Sequence, residues 1–400
     1  MKKLIILSGP SSCGKTTLVK ELGLENNTLS PDILRVMFSG TEISVSGNIG
    51  ISQRDNYKVF KELFNILETR MSYGLLTVID APHTTERDID KYKYLSTKYG
   101  YEVILVDFQV DLETLLKRNA SRQFGRVQDS IIERMYNEKQ TAKIPPYIRK
   151  ITPDRLQDEL KIKYINLDKY KAIYHIGDIH GCATALKEAI PKISFDSFYI
   201  FHGDYINKGI ENVEVLKFLL PIMKRPNVVL LKGNHEQNLV RYANNEDTFG
   251  KAFSKTRAEI EESSITLREL KMLTNSFKNY YAYSYKGQKF FCTHGGISHL
   301  EGVALASENE FVVGSGTTET NIDEVWSKNM SGSGIIQVHG HRNEGNLPIA
   351  AAPNSYNLEG EVEKGGYLRT LTVLPKNITG REIKNNVFAP VIEESPEDNE

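Results

Sequence analysis

Eight residues near the start of the chain read Gly9-Pro10-Ser11-Ser12-Cys13-Gly14-Lys15-Thr16, directly after the apolar run Leu4–Leu7 and before a helical pattern. This strand–loop–helix order fits GxxxxGK[ST], in which glycines let backbone N–H groups surround phosphate oxygens. Lys15 is expected to reach the β and γ phosphates, and the Thr16 hydroxyl to bind Mg²⁺. The predicted ATP site comprises Gly9, Ser11, Ser12, Cys13, Gly14, Lys15, Thr16 and Thr17.

Beyond this loop, short apolar runs alternate with helical patterns. Leu75–Ile79 and Val103–Val106 are short and continuous, as buried strands are, and Asn56–Met71 between them is typical of a helix. This alternation predicts a doubly wound parallel sheet. We place this domain at residues 1–165, because a polar segment with Pro145, Pro146 and Pro153 closes it and a second set of alternations begins near Ala172.

The composition of the chain excludes several classes of protein. Its 400 residues include 50 Lys+Arg and 51 Asp+Glu, for a net charge of −1, so bulk charge does not bind nucleic acid. Three scattered cysteines exclude a disulfide scaffold and indicate a reducing, cytoplasmic compartment. The apolar start is too short for a signal peptide, and we expect no membrane span.

An acid and a base follow the P-loop at the point where a second strand would end. Asp32 could accept a proton from an attacking hydroxyl, and Arg35, one helical turn later, could hold an acceptor phosphate. The alternative is that Asp32 only caps the start of a helix and that Arg35 is an ordinary surface residue. Asp80, after the third strand, could assist Mg²⁺ or merely cap a loop.

Three arginines, Arg118, Arg122 and Arg126, recur every four residues, which predicts one face of a helix. They form either a solvated face or a lid over the ATP phosphates; the choice of arginine at all three positions favours the lid. The surrounding segment, Leu115–Lys150, holds nine bases and three acids. Residues 1–170 together hold 26 bases and 22 acids, a net of +4, and the segment Leu115–Lys150 is where a polyanion would dock.

These motifs together resemble the 5′-polynucleotide kinase module of bacterial and phage end-healing enzymes. The resemblance rests on GPSSCGKTT, on DILR at Asp32–Arg35, on IDA at Ile79–Ala81 and on RNASR at Arg118–Arg122. It implies that Asp32 is the general base toward a 5′-hydroxyl and that Arg35 holds a nucleic-acid phosphate. It also implies that the arginines at 118 and 122, and less firmly the one at 126, clamp ATP.

The second part of the chain carries five short motifs, each after an apolar run. They are Gly177-Asp178-Ile179-His180-Gly181, Gly203-Asp204-Tyr205-Ile206-Asn207-Lys208-Gly209, Gly233-Asn234-His235-Glu236, Thr293-His294-Gly295-Gly296 and His339-Gly340-His341-Arg342. Polar side chains at the carboxyl ends of neighbouring strands converge on one crevice. Oxygen and imidazole ligands suit Mn²⁺, Fe or Zn²⁺ rather than a thiolate site.

The five motifs resemble those of the calcineurin-like binuclear metallophosphoesterases, which implies an α/β sandwich and two divalent ions, with Mn²⁺ the expected metal. The implied ligands are Asp178 and His180 for one ion, Asp204 as the bridge, and Asn234, His294 and His341 for the other. His235 would be the general acid toward the leaving oxygen.

One motif departs from the family pattern GDxxDRG. Asn207 stands where an aspartate usually orients the general-acid histidine, and Lys208 stands where an arginine grips substrate phosphate. We expect Lys208 to hold the phosphate as a single charge, and activity to survive in weakened form. The stretch Ser355–Leu371 is predicted to form a final hairpin bordering the site, without a catalytic role.

Together the two sites predict a bifunctional enzyme that heals broken nucleic-acid ends. A 5′-hydroxyl kinase and a 3′-phosphatase, which could also open 2′,3′-cyclic phosphates, would prepare RNA or DNA ends for a separate ligase. The phosphatase domain is placed at 166–375 and an acidic tail at 376–400. Two alternatives stay open: a metabolite or protein kinase fused to a phosphoprotein phosphatase or dinucleoside-polyphosphate hydrolase, and a P-loop module that only regulates the phosphatase.

Overall fold

A computed structural model describes residues 2–43, 49–246, 249–343 and 345–388. The chain divides into two compact units, one of residues 1–161 with 304–307, and one of residues 162–303 with 308–400. Within the described ranges, every helix is too short or too polar to cross a membrane.

The first unit is built on a five-stranded sheet in which all strand pairs are parallel. The strands of this unit are β1 (Lys3–Ser8), β2 (Thr28–Leu29), β3 (Thr41–Ile43), β4 (Ile49–Ile51), β5 (Thr77–Asp80), β6 (Glu102–Asp107) and β7 (Arg149–Ile151). The helices are α1 (Lys15–Glu21), α2 (Pro31–Ser39), α3 (Asn56–Ser72), α4 (Glu86–Asp90), α5 (Lys93–Tyr99), α6 (Leu112–Ala120), α7 (Asp129–Thr141) and α8 (Leu156–Glu159). The five strands lie in the order β2-β5-β1-β6-β7, and β3 and β4 form a separate hairpin.

The position of β1 at the centre of this sheet places the P-loop. Leu4 pairs with Thr77 of β5 on one side and with Val103 of β6 on the other. The side chains of β1 are buried on both faces, as expected of a strand covered by helices on each side. Because the strand order reverses at β1, a crevice for a ligand opens beyond its carboxyl end.

The second unit is a sandwich of two five-stranded sheets, in the orders β11-β10-β9-β16-β17 and β15-β14-β13-β12-β8. Its strands are β8 (Ile165–Asn166), β9 (Ile173–Ile176), β10 (Phe198–Phe201), β11 (Val228–Leu230), β12 (Tyr280–Tyr285), β13 (Gln288–Thr293), β14 (Ile335–His339), β15 (Ser355–Asn357), β16 (Tyr367–Leu374) and β17 (Asn377–Lys384). Its helices are α9 (Ala183–Ala189), α10 (Asn212–Leu219), α11 (Glu236–Ala243), α12 (Ser254–Glu261), α13 (Leu267–Thr274), α14 (Glu308–Val312) and α15 (Ile322–Asn329).

A hydrophobic core fills the space between the two sheets. Ile173 and Ile200 of the first sheet belong to the same buried cluster as Tyr283, Phe290 and Val338 of the second. A second cluster joins the other face of the first sheet to helices α9 to α13. The predicted fold class, a doubly wound parallel sheet followed by an α/β sandwich, is confirmed.

The predicted end of the second domain is wrong in two respects. Ser355–Leu371 is not a hairpin, because β15 pairs with β14 in one sheet while β16 pairs with β9 in the other. The last hairpin is β16–β17, which extends the sheet beyond residue 375 into the predicted tail. β17 escaped prediction because it is an edge strand with mostly exposed side chains and no apolar run. The acidic cluster at 393–400 lies outside the described residues.

Candidate active sites

The P-loop of the first unit joins β1 to α1. Ser12 and Gly14 have positive φ angles of 69° and 106°. Such turns let successive backbone N–H groups line one concave, anion-binding loop. A Cβ on Gly9 would lie 2.6 Å from the sulfur of Cys13, so the first glycine is required by space. The Lys15 ammonium is buried and donates to the carbonyl oxygens of Gly9, at 2.7 Å, and Pro10, at 2.8 Å.

The structure brings together the two side chains proposed for Mg²⁺. Asp80 ends β5 opposite Leu7 of β1, and its Oδ2 accepts a hydrogen bond of 2.6 Å from the Thr16 hydroxyl. A hydroxyl paired with a carboxylate beside a phosphate loop offers the oxygen ligands that Mg²⁺ prefers. This contact favours the Mg²⁺ interpretation of Asp80 over the loop cap.

Asp32 and Arg35 lie side by side on α2. Arg35 Nη1 is 2.5 Å from Asp32 Oδ1, and Arg35 Nε donates to Asn56 Oδ1 at 2.8 Å. The arginine side chain is thereby held against the fold with 14% of its surface exposed, whereas the aspartate is 62% exposed. Asn56, which the sequence did not single out, orients the arginine.

The three lid arginines do not share a helix face, and that prediction is wrong. Helix α6 ends at Ala120, so Arg122 and Arg126 lie in the connection to α7. The Asn119 side chain bonds the backbone of Val127 at 2.7 and 3.1 Å and closes this connection into a loop. These side-chain bonds to backbone groups compete with continued helix.

Of the three arginines, Arg122 contacts the P-loop: its Nη1 lies 3.2 Å from Ser11 Oγ. For Arg118 and Arg126 the described residues show no hydrogen bond to the P-loop. The clamp on ATP stays a prediction for all three positions, and Arg122 is the one whose described contacts place it beside the P-loop.

The five motifs of the second unit follow strands β9, β10, β11, β13 and β14, and their loops meet at one end of the sandwich. Asp204 is at the centre: its oxygens lie 3.5 Å from His180 Nε2 and 3.2 Å from His294 Nε2. One terminal atom of the Asn234 amide lies 3.1 Å from each Asp204 oxygen and 3.2 Å from His341 Nδ1.

All six predicted metal ligands are thus brought together. Ligand atoms of Asp204, His294 and His341 lie within 4.8 Å of one another, and so do those of Asp204, His180 and His235. Those of Asp178, His180 and Glu359 form a third group of this kind. Asp178 Oδ2 accepts a hydrogen bond of 2.9 Å from the backbone N–H of His341, which joins the first motif to the last. The sharing of Asp204 between neighbouring groups is what a bridge between two ions requires.

Unpartnered polar atoms show that these residues fit cations. Asp178 Oδ1 and His180 Nδ1 are buried and have no hydrogen-bond partner among the described residues. Burial, together with the carboxylates of Glu359 and Asp204, holds the pKa of Asp178 well above its usual range. A divalent ion would stabilise the ionised form of such a buried carboxylate, because the ion supplies the positive charge that its surroundings lack.

Asp204 has the opposite electrostatic environment. Burial acts to raise the pKa of Asp204, but the rings of His294 and His235 outweigh it and hold that pKa well below the usual range. Burial, with Lys208 nearby, keeps the pKa of His180 well below its usual value, so the ring is neutral and can ligate a metal.

Two carboxylates of this site were missed by the sequence analysis. Glu236, in the Gly-Asn-His-Glu motif, accepts backbone N–H groups from Asp204 at 2.8 Å, Gly233 at 2.9 Å and Tyr205 at 2.9 Å. Burial and Asp204 raise the pKa of Glu236 to about 7. Glu359 follows β15, in the stretch predicted to have no catalytic role, and only the fold brings it to Asp178.

His235, Asn207 and Lys208 border this cluster. His235 Nε2 lies 4.0 Å from Asp204 Oδ2, and its Nδ1 lies 3.0 Å from Asn207 Nδ2. Lys208 Nζ lies 3.4 Å from His180 Nε2 and 3.4 Å from Glu363 Oε1. The lysine thus lies beside the predicted metal ligands.

Comparison with known proteins finds a family match within each unit. Residues 4–160 match a family of AAA domains, and residues 171–369 match the calcineurin-like phosphoesterases. A symmetrical bis(5′-nucleosyl)-tetraphosphatase of Buchnera aphidicola subsp. Baizongia pistaciae is 41% identical over 70 residues, covering 17% of this chain and 24% of that protein. Serine/threonine-protein phosphatase 2 of Salmonella typhimurium is 37% identical over 75 residues, covering 18% of this chain and 33% of that protein.

The chain therefore spans about a quarter to a third of the length of these curated relatives. Among solved structures, a protein serine/threonine phosphatase from Saccharomyces cerevisiae with similarity to human phosphatase PP5 is 14% identical, with a TM-score of 0.40. That alignment covers 57% of this chain and 85% of the yeast chain.

Proposed function

Because the chain joins an AAA domain of the P-loop kinase-like kind to a calcineurin-like phosphoesterase domain, we propose that it repairs broken nucleic-acid ends. The first domain would transfer the γ-phosphate of ATP to a 5′-hydroxyl with Mg²⁺. The second would remove a 3′-phosphate with two divalent ions, most simply Mn²⁺. A kinase and a phosphatase in one chain are compatible when they act on different ends, and a separate ligase would then join them.

The exposed surface around Asp32, where the phosphate acceptor would bind, is the observation that favours a polynucleotide over a small metabolite as acceptor. Asp32 is 62% exposed, and its neighbours on α2 include Met37 at 76%, Ile33 at 55% and Phe38 at 47% exposure. A small metabolite would call for an enclosed pocket, whereas the end of a strand needs an open surface where apolar side chains can contact bases. Arg35 adds a charge for a backbone phosphate.

In the proposed transfer, Asp32 accepts the proton of the 5′-hydroxyl as its oxygen attacks the γ-phosphorus. Lys15 and Arg122 neutralise the phosphate oxygens while the bond to the β-phosphate breaks. Thr16 and Asp80 would hold Mg²⁺, which lowers the negative charge of the transferred group when bound. Each of these side chains lies in the first unit, so this step needs no residue of the second.

In the proposed hydrolysis, Asp178, His180, Asp204, Asn234, His294 and His341 would hold two divalent ions. Bound there, such ions supply Lewis acidity toward the phosphate ester. Lys208 holds the phosphate by charge. His235 provides a hydrogen-bond donor toward the leaving oxygen, and the strand ends keep all these groups in place.

The test uses one oligoribonucleotide that carries a 5′-hydroxyl and a 3′-phosphate, with ATP, Mg²⁺ and Mn²⁺. We expect the wild type to convert both ends, Lys15→Ala to lose 5′ phosphorylation only, and Asp178→Ala to lose 3′ dephosphorylation only. Lys20→Ala, an exposed lysine on the same helix as Lys15, is the matched control and should convert both ends. A wild type that leaves both ends untouched while hydrolysing a simple phosphate ester would contradict the proposal.

A second candidate is hydrolysis of dinucleoside polyphosphates, which the match to a bis(5′-nucleosyl)-tetraphosphatase favours. The same assay separates the two, since a diadenosine tetraphosphate substrate would then be cleaved in preference to the 3′-phosphate of the oligonucleotide. Asp178→Ala should abolish that cleavage too, because both reactions would use the same ligands.

A further inference from the structure

A small recess lies at the amino ends of three neighbouring strands of the second unit. Its volume is about 280 Å³, and it is lined by Lys169, Tyr170, Phe195, Pro226 and Asn227. These residues come just before β9, β10 and β11, which pair in parallel. The predicted metal ligands follow the last residues of the same strands, so the recess is at the opposite end of the sheet from them.

The recess presents one aromatic ring to solvent on a fixed loop. Phe195 is 72% exposed, whereas Asn227 beside it is 1% exposed. The Asn227 side chain fixes the loop that carries the ring. Its Nδ2 donates to the carbonyl oxygens of Ser194, at 2.7 Å, and Ser197, at 2.8 Å. The backbone on both sides of the exposed ring is therefore held in place before any partner binds.

Two cations lie against the aromatic rings of the recess. The guanidinium carbon of Arg225 is 5.2 Å from the centre of the Phe195 ring, and Arg225 Nη1 donates to the carbonyl oxygen of Ile193 at 3.3 Å. Lys169 Nζ is 5.0 Å from the centre of the Tyr170 ring. Cations attract the faces of aromatic rings, and these contacts place positive charge beside a ring that stays largely open.

The segments around the recess are basic, although the unit as a whole is acidic. Residues 169–171, 192–196 and 224–227 carry one acid, Asp196, and five bases, Lys169, Lys171, Lys192, Lys224 and Arg225, a net of +4. Residues 162–400 together carry 26 bases and 30 acids, a net of −4. Lys171 Nζ lies 2.8 Å from Asp196 Oδ2, but both side chains are exposed, so the pair contributes little and a phosphate could replace the carboxylate.

A single strand of nucleic acid matches this combination of ring and charge. Bases of any sequence stack on exposed aromatic rings while cations contact the backbone phosphates. A lipid surface calls for several exposed apolar side chains, and among the five lining residues Phe195 is the large apolar one that is exposed. The volume is below the range of about 300–1,000 Å³ that is usual for small-molecule pockets, so the recess suits one flat group rather than a whole metabolite.

We propose that this recess is a binding site for single-stranded nucleic acid, built from residues of neither predicted active site. One base stacks on Phe195, and the lysines around the ring contact the phosphates on either side of that base. The site would hold a strand at a distance from the end that reacts. It goes beyond the proposed reactions, because neither ATP nor a metal ion takes part in it.

The first test measures the Kd of a single-stranded oligoribonucleotide by fluorescence anisotropy, in EDTA and without ATP. A 5′ label and a 3′-hydroxyl make neither end a substrate. Phe195→Leu keeps an apolar side chain but loses the aromatic face, and we expect it to raise Kd by about 5- to 100-fold, whereas Phe195→Trp should stay within about 3-fold of the wild type.

Tyr367→Leu is the matched control for this test. Tyr367 is also an exposed aromatic residue of the second unit, and Lys384 Nζ lies 4.7 Å from the centre of its ring. This variant should bind the oligoribonucleotide with the wild-type Kd. A wild-type Kd in Phe195→Leu, or an equal loss in Tyr367→Leu, would overturn the proposal.

Two further measurements separate base stacking from attraction to phosphates. On an abasic strand of the same length, the wild type and Phe195→Leu should bind equally, because no base can stack. The double variant Lys169→Gln/Lys224→Gln should make the salt dependence of log Kd shallower by about 1.4, or about 0.7 for each lost phosphate contact. Lys217→Gln, on α10, should leave that slope unchanged. An unchanged slope in the double variant, or the same loss on the abasic strand, would contradict the proposed contacts.

The outcome is independent of the reactions proposed above. Phe195→Leu should hydrolyse 4-nitrophenyl phosphate at the wild-type rate, which also shows that the variant is folded. A wild type that hydrolysed no ester would contradict the phosphatase function, while the anisotropy would still decide the binding site. Phe195-dependent binding to vesicles that contain phosphatidylserine, without binding to RNA, would overturn the proposal in favour of a lipid.

Discussion

Gly340→Ala would add one methyl group beside a predicted metal ligand without removing any side chain of the site. Gly340 follows β14, between the two histidines of the last motif. A Cβ at this position would lie 1.9 Å from Oδ1 of Asp178. This oxygen is the buried atom without a hydrogen-bond partner, so it is the one that we expect to ligate a cation.

The required displacement sets the size of the effect. A methyl carbon needs at least 3.0 Å from its neighbours, so the 1.9 Å contact must open by 1.1 Å or more. Metal–ligand distances tolerate a change of only about 0.2 Å. The movement would also disturb the bond that the other oxygen of Asp178 accepts from the backbone N–H of His341. We therefore expect Mn²⁺ affinity to fall at least about 100-fold, or about 2.8 kcal/mol.

The assay is a titration of the wild-type and variant proteins with Mn²⁺, followed by free Mn²⁺ in electron paramagnetic resonance, together with ester hydrolysis. Gly345→Ala is the matched control, because its Cβ would meet the Leu347 side chain at an ordinary 3.7 Å. Both variants should keep 5′-kinase activity. Wild-type Mn²⁺ affinity and hydrolysis in Gly340→Ala would refute the assignment of Asp178 as a ligand.

Three further substitutions each neutralise one carboxylate. Asp80→Asn should lower kinase activity by about 10-fold or more and raise the Mg²⁺ concentration needed, while hydrolysis of phosphate esters is unchanged; an unaltered Mg²⁺ dependence would speak for a loop cap. Burial acts to raise the pKa of Asp323, but the His339 ring and hydrogen bonds from Ser355 and Asn357 lower this pKa to about 2. The ionised carboxylate therefore stabilises the fold above its ordinary pKa of 3.8, and this contribution is lost as the pH falls through about 2. Asp323→Asn should therefore reduce the free energy of unfolding in urea by about 2 kcal/mol at pH 7, and equal stability at that pH would contradict this. Glu359→Gln removes a charge that raises the pKa of Asp178, so at pH 7 thermal melting should show a more stable protein in EDTA and a smaller gain on adding Mn²⁺; changes of the same sign in both conditions would argue against a role at the metal site.

The P-loop and the metal ligands could be predicted from the sequence because their signals are local. An apolar run marks a strand, and the residues that follow it lie at the strand's carboxyl end whatever the rest of the chain does. Lys15 and Thr16 are therefore recognisable beside Leu4–Leu7, and Asp178 and His180 beside β9. Five such strand ends were enough to predict one crevice.

The lid shows where local periodicity fails. A spacing of four residues predicts a helix face only while the helix continues, and α6 ends at Ala120. The bonds between the Asn119 side chain and Val127 close the loop instead. As a result Arg122 reaches Ser11, a contact that the spacing of the arginines did not indicate.

The sequence by itself determined the two folds, the phosphate loop and the set of polar side chains that meet in the second unit, because each depends on neighbours within a few residues. Only the tertiary structure decided that Glu359 joins Asp178, that Asn56 bonds Arg35, and that β17 completes a sheet. These contacts join segments that are far apart in the chain and carry no motif of their own. Their positions follow from the packing of helices and strands, which no local pattern records.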